Sequence, residues 1–288
     1  SGRDALRDNT EGDDNTAYGR SALQSNISGA NNTASGRDAL LTNTTGENNT
    51  AYGRSALRGN ETGSSNTATG FGALLLNENG ANNTANGVSA LTSNISGADN
   101  TASGRDALQG NTSGSSNIAL GYSAGSNLTT GNHNIVIGHA GVAAEAATTR
   151  IGDSNQTRAF IAGIRGATTG LDDAVTVMVD SEGQLGTVSS SRRYKQNIRP
   201  MKDFGVSERI SQLRPVTFEY KQAQNGDEHP VQFGLIAEEV AKVFPELAVF
   251  NKDGQPETVK YHLLAPMLLN EMQDERKRHD QQLLERDR

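Results

Sequence analysis

Three consecutive serines, Ser189, Ser190 and Ser191, stand six, five and four residues ahead of Lys195, with Arg192 and Arg193 between. A serine hydroxyl becomes a nucleophile only when a neighbouring base takes its proton. Lysine serves as that base only when neutral, and its ordinary pKa of about 10.4 keeps it charged at neutral pH. Burial or nearby cations bring that value down. Arg192 and Arg193 are such cations, and Tyr194 and Ile198 supply apolar cover once chains assemble. A dyad of this kind is silent in a free chain and active in a folded assembly. Read locally, the run serves equally as a polar linker with scattered basic residues, and any of the three serines can be the partner.

Other candidate groups point away from chemistry. Glu238 and Glu239 read as solvated helix charges, and His229 and His262 are too far apart in sequence to suggest a metal site. The chain has no cysteine, so disulfides and thiolate metal sites are excluded; neither a metal nor a cofactor is expected. A net charge of −7 argues against a nucleic-acid groove. Arg20, Arg37, Arg54 and Arg105 recur at one spacing, but Asp38, Asp106, Glu47 and Glu61 dilute them. No apolar run approaches the ~20 residues of a membrane span, and Ser1-Gly2-Arg3 is no signal peptide. Sequons such as Asn26-Ile27-Ser28, Asn43-Thr44-Thr45 and Asn94-Ile95-Ser96 are what a turn rich in Asn, Ser and Thr generates by itself.

The first half of the chain has a strict period. Asn15, Asn32, Asn49, Asn66, Asn83, Asn100, Asn117 and Asn134 recur every 17 residues, each followed two later by alanine (valine in the last) and four later by glycine. Leucines from Leu23 to Leu108 and glycines from Gly29 to Gly131 keep the same step. A period without insertions is the mark of stacked units that lean on their neighbours. One unit holds little besides small alanines and a leucine or two, so at about 25 cal/mol per Å² it cannot offset roughly 1–2 kcal/mol of backbone entropy per residue alone. Seventeen residues suit two short strands and two turns, one coil of a β-solenoid. Alanine at the inward position implies a wall close to something narrow, such as a threefold axis. Gly2, Ala5, Leu6, Asn9 and Gly12 are already in register, so the repeats are expected to run on upstream. The Asn-x-Ala-x-Gly pattern over residues 1–141 resembles the head repeats of trimeric autotransporter adhesins, which implies a trimeric β-roll. At about 4.8 Å per coil, eight coils make roughly 40 Å of shaft.

Residues 142–188 read as a β-rich neck. Val175-Thr-Val-Met-Val179 alternates like a strand, and Asp180-Ser-Glu-Gly183 turns into Gln184-Leu-Gly-Thr-Val188. Beyond it, Val206–Leu213 reads as a short amphipathic helix ended by Pro215, and Val216–Tyr220 as a strand. Leu235, Ile236, Val240 and Val243 mark a second helix, with Glu238 and Lys242 paired on its other face, and Thr258–Tyr261 reads as a strand edge. From His262 to Arg288 a long helix carries Leu264, Leu268, Met272, His279 and Leu283 as a loose stripe, the spacing of a coiled coil.

Ser189–Ile198, Leu213-Arg-Pro-Val-Thr-Phe-Glu-Tyr-Lys221 and Phe233-Gly-Leu-Ile-Ala-Glu-Glu-Val240 occur in that order. Together they resemble the intramolecular chaperone and self-cleaving domain of phage tail spikes and fibres, the endosialidase type. The resemblance implies a domain that trimerises the chain, helps an upstream β shaft to fold and is then cut off by a serine and a lysine five residues downstream. That spacing selects Ser190 and Lys195 as the catalytic pair. It places the cut at Ser190–Ser191, with an acyl shift at Ser189–Ser190 as the chemical rival. Family members often have Asp after the nucleophile, where this chain has Ser191.

The resulting expectation is a mainly β, trimeric solenoid shaft (1–141), a neck (142–188) and an α+β chaperone domain (189–288) ending in a long helix (262–288). The expected partners are two further copies of the chain and a host cell-surface receptor or glycan, with neither nucleic acid nor membrane insertion. The expected setting is a virion tail fibre. The alternative is a bacterial trimeric surface adhesin in which the terminal domain is an uncut trimerisation cap.

Overall fold

The computed structural model describes residues 2–221 and 228–286, apart from the side chains of Lys202 and Asp203. Two compact units divide between Arg165 and Gly166.

The first unit is a parallel β-solenoid of about eight turns. Its strands are β1 (Thr16–Tyr18), β2 (Thr33–Ser35), β3 (Thr50–Tyr52), β4 (Thr67–Thr69), β5 (Thr84–Asn86), β6 (Thr101–Ser103), β7 (Ile118–Leu120), β8 (Ile135–Ile137) and β9 (Thr149–Ile151). They pair in sequence order and strict register, Ala17 against Ala34 and Ala34 against Ala51. Each coil contributes one strand, where two were expected. The opposite wall also bonds coil to coil, Leu23 N–H to the Ala39 carbonyl at 3.0 Å, but its residues alternate into the left-handed region (Ser21 φ 58°, Leu23 φ 52°), which no strand tolerates. A left-handed leucine costs about 1–2 kcal/mol. Full burial of the same side chain returns about 1.5–3 kcal/mol, so burial wins.

Two alanines and one leucine per coil form the core, and from Ala22 to Leu108 each is completely buried within the single chain. The alanines therefore face their own coil's leucine rather than a threefold axis, and the shaft core closes without partner chains. Two asparagine columns complete it. Asn60 Nδ2 donates to Asn43 Oδ1 (2.7 Å) and to the Gly63 carbonyl (2.8 Å), while its own Oδ1 accepts from Asn77 (2.7 Å). In the second column Asn66 Oδ1 accepts the Asn83 N–H (2.9 Å), and Asn66 Nδ2 donates to the Gly80 carbonyl (2.8 Å). Buried amides are tolerated because nearly all of their donors and acceptors are matched. Asn26, Asn43 and Asn94 belong to the first column and are fully buried, so these sequons are structural.

The stack ends deliberately. In the last full coil Leu128 takes the asparagine position, Gly125 (φ 65°) replaces the leucine, and Asn111 Oδ1 is left without a hydrogen-bond partner. The following step is three residues shorter, so Val136 pairs with Arg150. The guanidinium of Arg150 meets the largely buried Glu145 carboxylate at 2.8 Å and closes the core with an ion pair.

The second unit is α+β. A hairpin pairs β10 (Met178–Val179) with β11 (Leu185–Gly186) across the expected Asp180–Gly183 turn, in which the Gly183 N–H donates to the Asp180 carbonyl. Helix α1 (Val206–Ile210) stops before Leu213. Strand β12 (Val216–Phe218) pairs antiparallel with β13 (Gln232–Gly234). Helix α2 (Ala237–Val243) follows, then the antiparallel pair β14 (Ala248–Phe250) and β15 (Pro256–Val259). The 23-residue helix α3 (Leu264–Arg286) ends the unit; the final two residues of the expected 262–288 helix lie outside the described residues. Val206, Val240, Phe244, Leu247 and Val259 form the core, with Leu264 and Met267 from the first turn of α3 packed against it.

Candidate functional site

The serine run leads into a single 3-10 turn, Arg192–Tyr194. Ser191 is its N-cap: the hydroxyl accepts from the Arg193 N–H (3.4 Å) and from Arg193 Nε (3.2 Å). Capping by a serine side chain satisfies an amide that the turn itself leaves open. Ser189 Oγ accepts the Ser191 N–H at 3.3 Å. Among the described residues, Ser190 alone of the three has a hydroxyl engaged by no intrachain hydrogen bond, and it is exposed. The middle serine is thus the one not committed to shaping the turn.

Lys195 closes the turn, its N–H donating to the Arg192 carbonyl at 3.2 Å. Its ammonium is exposed and makes no ion pair among the described residues, and no hydrogen bond joins it to Ser190. The single chain sets Ser190 just before this turn and Lys195 at its end without joining them. Tyr194 and Ile198, the expected cover, are both exposed, and Arg193 lies over the Tyr194 ring at 5.7 Å. Ser190 and Lys195 are both exposed in the single chain.

The body behind this turn is held by specific polar contacts. Arg209 lies 3.9 Å from the Phe244 ring centroid, bonds the Phe204 carbonyl and forks onto the Glu246 carboxylate. A backbone hydrogen bond, then Arg209, holds Glu246 below the usual carboxylate range. Arg214 reaches across to Glu239, Nε to Oε2 at 3.1 Å, and holds that carboxyl down as well. Glu239 is therefore an ion-pair partner, and sequence reasoning, which paired Glu238 with Lys242, missed the contact because Arg214 lies 25 residues away.

An open groove of about 700 Å³ lies beside this body, lined by Leu213, Val216, Phe233, Leu235, Leu264 and Leu268 among others. Phe233 is 82% exposed. Of the helices in the described residues, none is long and apolar enough to cross a membrane.

No curated protein and no solved structure matches the chain. Residues 190–249, beginning at the uncommitted serine and including Lys195, match the family model of the peptidase described as the chaperone of endosialidase.

Proposed function

We propose that this chain is a segment of a homotrimeric tail-type fibre whose terminal domain assembles and folds the shaft and is then released by Ser190 and Lys195. The observation that carries the reading is the order of parts: a β-solenoid followed by a domain matching the chaperone of endosialidase, whose first matched residue is Ser190. The match to a chaperone of endosialidase downstream of such a rod supports the reading of an extracellular fibre.

The chemistry follows from what the single chain lacks. Assembly of three copies would bury the turn, bring Lys195 Nζ to Ser190 Oγ and exclude water from both. The amine takes the hydroxyl proton as the oxygen attacks a backbone carbonyl, and then returns a proton to the leaving nitrogen. Water releases the resulting ester, so one peptide bond is exchanged for one amine and one carboxylate. The rate rises with pH because only the neutral amine accepts a proton.

Mass spectrometry under denaturing conditions tests this on freshly purified chain. Wild type yields two fragments; Ser190→Ala and Lys195→Ala each stay whole, whereas Ser189→Ala and Ser191→Ala are cut. A released piece starting at Ser191 identifies the Ser190–Ser191 bond, and one starting at Ser190 identifies the acyl shift. Cleavage of Ser190→Ala at the wild-type rate would overturn the dyad, and a wild-type chain that stays whole would favour the adhesin with its uncut cap.

A further inference from the structure

The solenoid sheet has one face turned outward, uncharged along its length and aliphatic at one end. The first and last residue of each strand from β1 to β9 point out, and all are Thr, Ser, Tyr, Asn, Ile or Leu. None is charged, in a chain of which 20% is Asp, Glu, Lys or Arg. The face is also graded. Threonine opens every strand through β6, and the positions then become Ile118, Leu120, Ile135, Ile137 and, after Thr149, Ile151. These five aliphatic side chains are 37–74% exposed. Solvated parallel sheet gains nothing from isoleucine in three neighbouring strands; an apolar cluster of this kind marks a contact.

We infer that this sheet face is the surface through which the shaft meets two further copies of itself, parallel and in register, anchored at the aliphatic end. The inference rests on the trimeric reading above. Copies clasped by the same terminal domain run side by side in one direction, so residues near the rotation axis meet their own equivalents at the same height. A charged column there sets like against like, which excludes the neighbouring column carrying Arg20, Arg37, Arg54 and Arg105. A neutral column does not. The area agrees with a contact that needs help: about eight strand spacings of 4.8 Å by three residues is on the order of 400 Å² per chain. A self-sufficient interface needs about 800 Å² per partner. The shaft contact therefore follows assembly rather than driving it, which places the aliphatic end nearest in sequence to the chaperone domain.

The absence of cysteine makes the test clean. Three full-length single-thiol chains, Ile135→Cys, Thr67→Cys and Val88→Cys, are treated in dilute solution with a short bifunctional maleimide, after circular dichroism has shown unchanged β content. Val88 is exposed but lies in the arginine column. The sheet-face thiols are expected to give covalent dimers within the trimer at a yield roughly ten-fold above that of Val88→Cys, reflecting their high effective concentration. Linking at residue 88 but not at 135 and 67, in a protein that light scattering shows to be a trimer, overturns the face while leaving the trimer standing. Linking at 135 but not at 67 overturns the claim for the threonine part. A wild-type monomer in light scattering overturns the trimer and the face with it.

Discussion

Asn60 condenses what a coil asks of one side chain. Its amide spans three coils, giving to Asn43 and the Gly63 carbonyl and receiving from Asn77. Asn60→Ala strands two buried partners, and each orphaned buried polar group costs about 1–3 kcal/mol. The expected result is a lower melting temperature with unchanged β content before melting, measured by circular dichroism; a shift within error would mean that water replaces the amide. Gly63 is fixed by the same contact. A Cβ there would sit 2.4 Å from the Gly80 carbonyl oxygen and 2.5 Å from Asn60 Oδ1, so Gly63→Ala should destabilise at least as much as Asn60→Ala. Gly72, where a Cβ meets open space, should accept alanine with only the cost of its φ of 64°. In the sequence the period of the Asn15 series was plain. The other column, Asn26, Asn43 and Asn60 onward, reads in the sequence as turn composition, because spacing shows recurrence and not which amides lie inside. Ser190 and Lys195 were legible as residue types, while the hydroxyls that shape the turn became visible only in its hydrogen bonds.

Among elements, the sharpest departure is the wall opposite the sheet. Nothing local tells that Leu23 turns left-handed; only the stacked coil, which fully buries that side chain, decides it. Inward alanines imply a wall close to something narrow, and the structure shows that the narrow thing is the leucine wall of the same coil rather than a threefold axis. In the terminal unit, the ion pairs hold α2 and the segment after it to residues around α1. Glu239 and Glu246 both have folded pKa values below their ordinary ones. A depressed carboxylate lends stability that is complete above its unfolded pKa of about 4.3 and is lost as pH falls through the lower folded value. Arg214→Ala should therefore narrow the difference in melting temperature of this unit between neutral pH and pH about 3. An unchanged difference would assign the acid sensitivity elsewhere. Helix α3 anchors Leu264 and Met267, yet leaves Leu268, Leu269 and Met272 half exposed or more. We propose that these residues meet other copies as a coiled coil. Met272→Glu should then lower the trimer fraction in light scattering at micromolar chain, and an unaltered fraction would make α3 a surface helix.

For the molecule as a whole, self-sufficiency is uneven. From Leu23 to Leu108 the shaft buries one leucine per coil, and it matches nearly all of its buried amides within one chain. By contrast Phe160, Ile161 and Ile164, and on the other side of the unit boundary Leu171, Val175, Val177 and Leu185, are all more than half exposed. The expected neck strand Val175–Val179 is correspondingly reduced to two paired residues, since a strand without partners has little to hold it. If the neck is where chains depend on one another, Val177→Asp should abolish the trimer while amide exchange in β2–β7 stays slow. Loss of protection in those strands would show that the shaft itself depends on assembly.

Each coil bonds to the next through the same backbone and asparagine contacts, and this makes length a quantised trait. Recombination between two repeats adds or removes a multiple of 17 residues and leaves a junction identical to every other. Stability changes by nearly equal increments, as in any one-dimensional stack, and the terminal domain follows the same last coils in sequence whatever the number before them. Excising residues 67–83 should leave a folded rod shorter by about 4.8 Å. Excising sixteen residues in place of seventeen puts the two coils at the junction one residue out of register, so that their glycines meet side chains there. Such a rod is an adjustable ruler: its length can drift by whole steps while the domain that follows it in sequence stays unaltered.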